Sequence, residues 1–187
     1  EEYTGVIWGL DLWLLALALE FASFLMGGVN FLVTPFNMRT RGMSLFRMPL
    51  MIWMIVIASV IFLLSVGPLI AGAVFLLLDR NLGTSFFLPA GGGDPLLWQH
   101  LFWYFGHPEV YVIFLPALGV MLEVTSTFSR KTIFGYRPII YAVLTAGVLS
   151  FIVWAHHQFI SGLDPRLATP FSITTILISV PFAVVVF

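Results

Sequence analysis

Residues 48–78 read MPLMIWMIVIASVIFLLSVGPLIAGAVFLLL, without a single Asp, Glu, Lys or Arg. A helix needs roughly 20 apolar residues to cross the hydrocarbon core of a bilayer, and this run exceeds that. Other charge-free stretches extend from Leu12 to Leu19, Phe21 to Met38, Pro138 to Leu163 and Leu167 to Phe187. The interval from Asp94 to Arg130 adds a further apolar segment, interrupted by His107, Glu109 and Glu123. The whole chain is 60% hydrophobic and 9% charged, with a mean hydropathy of +1.04. A water-soluble domain carries about a quarter charged residues, so this chain lacks the surface for one. The sequence predicts an all-α, polytopic transmembrane helix bundle with spans at roughly 8–36, 46–78, 96–128, 137–161 and 169–187, all within a single partial domain over residues 1–187.

The charges between the spans alternate. Arg39, Arg41 and Arg47 lie in the first connection and Arg130, Lys131 and Arg137 in the third, whereas the second and fourth hold only Arg80 and Arg166. The positive-inside rule puts the first and third connections in the cytoplasm, with the N-terminus outside. The second connection carries Pro89-Ala90-Gly91-Gly92-Gly93-Asp94-Pro95, a tight turn with Asp94 as candidate helix N-cap. A net charge of −1 offers no basic field for nucleic acid. The absence of cysteine excludes disulfides, thiolate sites and iron–sulfur clusters. The chain opens Glu1-Glu2-Tyr3, without the charged leader of a signal peptide, and ends at Phe187 inside an apolar run; the expectation is an internal piece of a longer protein.

The chemistry concentrates in Trp103-Tyr104-Phe105-Gly106-His107-Pro108-Glu109-Val110-Tyr111 and in the adjacent pair His156-His157. Trp103, His107 and Tyr111 are four apart and share a helix face. Glu109 lies two residues from His107, about 200° around the helix, and points to a different cavity. Pro108 removes a backbone donor and kinks the helix beside the histidine. One histidine in a span often only hydrogen-bonds a neighbouring helix. Three imidazoles are different: neighbouring buried rings repel if protonated, and neutral rings on a metal avoid this. Three nitrogen donors without thiolate suit copper or zinc with an open position. His100 reads as an interfacial hydrogen-bonding residue, and Glu123 as snorkelled or paired at a helix end. Glu20 lies within the first span, as a proton-path residue or as a helix-end or lumen-facing one.

At these residues the chain resembles subunit I of the haem–copper respiratory oxidases, of the cytochrome c oxidase type. The strings that carry the resemblance are Met48-Pro49-Leu50, Asp79-Arg80-Asn81-Leu82, Gly91-Gly92-Gly93-Asp94-Pro95, Gln99-His100-Leu101-Phe102-Trp103, Gly106-His107-Pro108-Glu109-Val110-Tyr111 and Val153-Trp154-Ala155-His156-His157. They span nearly the whole chain, as the fourth to eighth helices of a twelve-helix subunit. The resemblance implies that His107, His156 and His157 bind copper, and that Tyr111 is joined covalently to His107 and supplies an electron and a proton for O–O cleavage. It implies that Glu109 is the branch point for protons, and that Asn30 and Ser23 line the route to it. It places the haem ligands outside this stretch, since His100 matches none of them. The implied setting is a bacterial cytoplasmic membrane. The implied partners are other oxidase subunits, including the one where electrons enter, together with cytochrome c, dioxygen and membrane lipid, and no nucleic acid.

Departures from the family pattern cluster. The family's eighth helix reads Pro-Thr-Gly-Val-Lys, whereas this chain has Pro181-Phe182-Ala183-Val184-Val185. Phe182 and Val185 replace a threonine and a lysine of a second proton path, and Leu122 replaces a serine near its entrance. Apolar side chains relay no protons, so that route is expected to be closed. In the first span Ala18 stands for a histidine, Phe24 for a serine, and Glu20 for a small residue. The expected function is electron transfer from cytochrome c to dioxygen coupled to proton translocation. Alternatives are a quinol-oxidising relative, a non-catalytic paralogue, and a metal-dependent transporter or channel.

Overall fold

The computed structural model describes residues 8–187, so the opening Glu1-Glu2-Tyr3 lies outside the described residues. The chain folds as helices α1 (Gly9–Asn37), α2 (Leu50–Leu82), α3 (Pro95–Ser129), α4 (Tyr136–Leu149), α5 (Pro165–Leu177) and α6 (Ser179–Val186). Short 3-10 turns over Ser150–Ile152 and Trp154–Gln158 continue α4. No strand occurs among the described residues. Taken with their continuations these helices make five segments long and apolar enough to cross a membrane, the fourth Tyr136–Gln158 and the fifth Pro165–Val186.

The most apolar helix, α2, is also the most buried, and it packs against α1, α3 and α4. Leu50, Met54, Ile57 and Ile61 from α2 meet Leu115 and Leu118 from α3, Ile140 and Val143 from α4, and Val185 from α6. Nearer the other end Phe21, Phe62 and Phe105 close a second cluster, with Phe21 edge-on to Phe105 at 5.1 Å between centroids. Gly119 permits the tight α2–α3 contact: a Cβ there would sit 2.8 Å from the Cα of Met51.

Connections are fixed by local polar bonds. Asp94 caps α3 as its position predicts, its carboxylate accepting from the Leu96 N–H at 2.8 Å. Asp164 caps α5 in the same way. Asp79 gathers the turn after α2, accepting from the Thr84 hydroxyl at 2.6 Å and from the N–H groups of Phe86 and Phe87. Gly93 lies so close to this turn that a Cβ would meet the Ser85 carbonyl oxygen. At one end of the bundle Glu123 accepts from the Leu50 N–H at the start of α2, and Tyr136 donates to the Met48 carbonyl. At the other end Arg80 bridges to Asp11 at 2.8 Å. The first and third connections, with six of the eight basic residues, therefore share one end.

Two segments differ from uninterrupted helical spans. The α-helical ladder of the fourth stops at Leu149, where the Ser150 hydroxyl donates back to Gly147 O at 2.7 Å and competes with the helix pattern. The fifth breaks after Leu177, four residues before Pro181, which has no N–H to continue the ladder. By contrast α3 remains one helix through Pro108 and Pro116.

Candidate metal centre

Trp103, His107 and Tyr111 line one face of α3, and the 3-10 turn over Trp154–Gln158 sets His156 and His157 against it. The His107 ring lies 4.7 Å from His156 and 5.7 Å from His157, and the paired rings are 4.2 Å apart. One ligand nitrogen from each of the three lies within 4.8 Å of the others. Adjacent residues of a regular α-helix point about 100° apart; in the 3-10 turn both histidines reach the cluster. His107 is 5% exposed. Its Nε2, like that of His157, is buried with no hydrogen-bond partner. Buried unpaired imidazole nitrogens cost stability unless something binds them, and three converging neutral imidazoles are a donor set that fits copper or zinc.

Neighbouring side chains hold the rings. The Thr175 hydroxyl donates to the Phe171 carbonyl at 2.6 Å, which leaves its oxygen to accept from His156 Nδ1 at 3.0 Å. That bond puts the proton on Nδ1 and leaves Nε2 as the donor nitrogen. Trp103 stacks on His157 at 3.8 Å between centroids and 3° between planes, and its Nε1–H donates to Gln99 Oε1. The fully buried Gln158 donates to the Gln99 carbonyl and so ties the turn to α3. Sequence reading passed over Thr175, Gln99 and Gln158; the available signal was a polar side chain in an apolar span beside the histidines.

Tyr111 packs 4.9 Å from His107 on one side. On the other it stacks on Phe182 at 5.5 Å and 10°. Val185 and Leu122 belong to the same apolar packing. Glu109 lies apart from the imidazoles, lining cavities between α1, α2 and α3, one of which it shares with Glu20. Asn30 and Ser23 are on exposed parts of α1 and do not line these cavities; Asn30 accepts from the Thr34 hydroxyl. Ala18 and Phe24 do line them. His100 departs from the expected interfacial hydrogen bond: its Nδ1 is buried without a partner and its ring sits edge-on to Trp154 at 5.2 Å.

The family model described as Cytochrome C and Quinol oxidase polypeptide I matches residues 1–187. The chain belongs to that family. Among its relatives, the Alternative cytochrome c oxidase subunit 1 of Bradyrhizobium diazoefficiens is 49% identical over 98% of this chain and 33% of its own length. Cytochrome c oxidase subunit 1 of Eremothecium gossypii is 47% identical over 100% of the chain and 35% of its own length. The protein of the same name from Cereibacter sphaeroides is 47% identical over 95% of the chain and 31% of its own length. The chain thus spans about a third of the length of the curated relatives it matches. Family membership and the five apolar spans together make it an integral membrane protein.

Proposed function

We propose that this chain is part of the catalytic subunit of a terminal oxidase that passes electrons from cytochrome c to dioxygen, forming water, and moves protons across the membrane. The observation that carries this reading is the convergence of His107, His156 and His157, with two of their nitrogens buried and unpartnered. In the proposal these three residues hold copper. Bound copper, with a haem whose ligands belong to the rest of the subunit, supplies the electrons for reducing dioxygen. Thr175 orients His156 and Trp103 braces His157. Tyr111, next to His107, gives a proton and an electron from its phenol. Glu109 carries protons towards the site from the α1 side. Phe182 covers Tyr111 on the α6 side, where Val185 and Leu122 offer apolar walls that relay no protons.

The relatives' names support cytochrome c as donor, although the family model covers quinol oxidases as well. The proposed partners are further oxidase subunits, one of which admits electrons, and residues 1–187 are taken as one part of a larger helical subunit. The test is metal analysis and optical spectroscopy of the full-length complex, wild type and His107→Ala. The expected result is copper and haem in the wild type with a carbon monoxide-sensitive band, and loss of copper and of dioxygen uptake in the variant. A wild-type complex holding haem yet consuming no dioxygen would leave a non-catalytic paralogue. Transport that persists in His107→Ala, with neither metal nor haem, would leave a transporter.

A further inference from the structure

We propose that Glu20 is a proton-carrying residue of this chain, holding a proton within α1 and passing it into the cavity that Glu109 borders from α3. Glu20, Phe24, Gly27 and Phe31 recur at helical spacing and line one side of a half-open cavity of about 550 Å³, with Glu20, Phe24 and Phe31 exposed on α1. Glu109 and Ser59 are the polar groups that α3 and α2 present to it. Glu20 and Glu109 stand about halfway along helices that run in the same direction, so their carboxyl groups share a depth in the membrane.

An ionisable residue inside a span is costly to keep and marks a functional path by default. No basic side chain lines this cavity, so neither carboxyl group is offset by an ion pair across it. None of the three clustered histidines lines it either, which separates Glu20 from the candidate metal centre. On the far side of that centre Phe182 stacks on Tyr111, and Val185 and Leu122 present apolar walls to a cavity of about 780 Å³ that no Asp or Glu side chain lines. Among the described residues, the α1 side is therefore the one that offers carboxyl groups at the depth of the imidazoles.

The step is a proton transfer only. The O–H bond of the Glu20 carboxylic acid breaks as its proton enters the cavity, and the carboxylate left on α1 takes a new proton from the aqueous phase. No bond between heavy atoms changes and no electron moves. The proposed function enters only through the proton's destination.

The test uses the full-length oxidase complex with Glu20→Gln, which keeps the side chain's shape but cannot cycle a proton, and Glu20→Asp, which can. Turnover should fall at least about tenfold in Glu20→Gln, with metal content and reduction of the centre unchanged, and should recover in large part in Glu20→Asp. Infrared spectra in light and heavy water give a readout that needs no turnover. The wild type should show a carboxylic acid C=O band that shifts on deuterium exchange, present in Glu109→Gln and absent in Glu20→Gln. A Glu20→Gln enzyme within about twofold of wild type, or one with the same exchanging bands, overturns the proposal. If the wild type reduces no dioxygen, the oxidase reading fails by itself, and the infrared band still decides whether Glu20 carries a proton.

Discussion

A single hydroxyl fixes the tautomer on which the proposed copper site depends. The Thr175 oxygen can only accept from His156, because its proton is committed to Phe171. Thr175→Val keeps the volume and removes that acceptor. Loss of such an outer hydrogen bond lowers metal affinity about 10–100-fold, and a chelator titration of the full-length protein should read a drop in that range. The apolar seal by Tyr111 makes a second prediction. The double variant Phe182→Thr with Val185→Lys restores the family's polar pair, but it removes a ring stacked on Tyr111 and places an ammonium where Val185 is buried. Dioxygen uptake should not rise and the complex should melt at a lower temperature. A sharp rise in turnover and in reduction of the centre would mean that the native route is merely defective. The strings around His107 and around His156-His157 were legible because each is local, and the roles of Tyr111 and Glu109 came with the family resemblance those strings carry. Thr175 and Gln158 were not legible, because their partners lie across a turn or on another segment, and no local pattern encodes such a meeting; Gln99, four residues before Trp103, was within reach of the same spacing argument.

At the scale of elements, apolar runs announced the spans, but not what becomes of the fourth after Leu149. Hydrophobic pattern scarcely distinguishes an α-helix from a 3-10 turn over so short a stretch. What matters there is the Ser150 back-bond and the side contacts that draw Trp154–Gln158 onto α3. Those contacts bring two adjacent histidines to one point even though residues next to each other in a regular helix diverge. The relation of α2 to α3 is equally hidden in composition. It rests on Gly119, whose missing side chain lets Met51 and Met54 approach. Gly119→Leu must push the two backbones apart or distort Met54, an overpacking cost of about 1–3 kcal/mol. The expected outcome is reduced thermal stability of the complex together with loss of bound copper, since α3 also carries His107. An unchanged melting temperature would contradict the close α2–α3 contact.

Across the whole molecule, charge and exposure divide by position. Leu19, Met26, Ile113 and Ile176 are more than two-thirds exposed on α1, α3 and α5, as expected of surfaces that meet lipid or further helices rather than water. The basic connections gather at the end where Glu123 meets the start of α2, and the Gly-rich turn held by Asp79 lies at the other. The contacts establish which connections share an end, and the charge bias assigns that end to the cytoplasm. These 187 residues contain no cysteine, so labelling of single cysteines introduced within them tests the assignment when read against the unsubstituted protein. Thr40 and Thr132 are exposed in the basic connections, and Ala90 and Ser161 are exposed in the other two. In sealed right-side-out membranes containing the full-length protein, a membrane-impermeant thiol reagent should label Ala90→Cys and Ser161→Cys. It should reach Thr40→Cys and Thr132→Cys only after the membranes are opened. Labelling in the reverse order would invert the bundle, put Arg39, Arg41 and Arg47 outside, and reverse the side from which the α1 cavity would draw its protons.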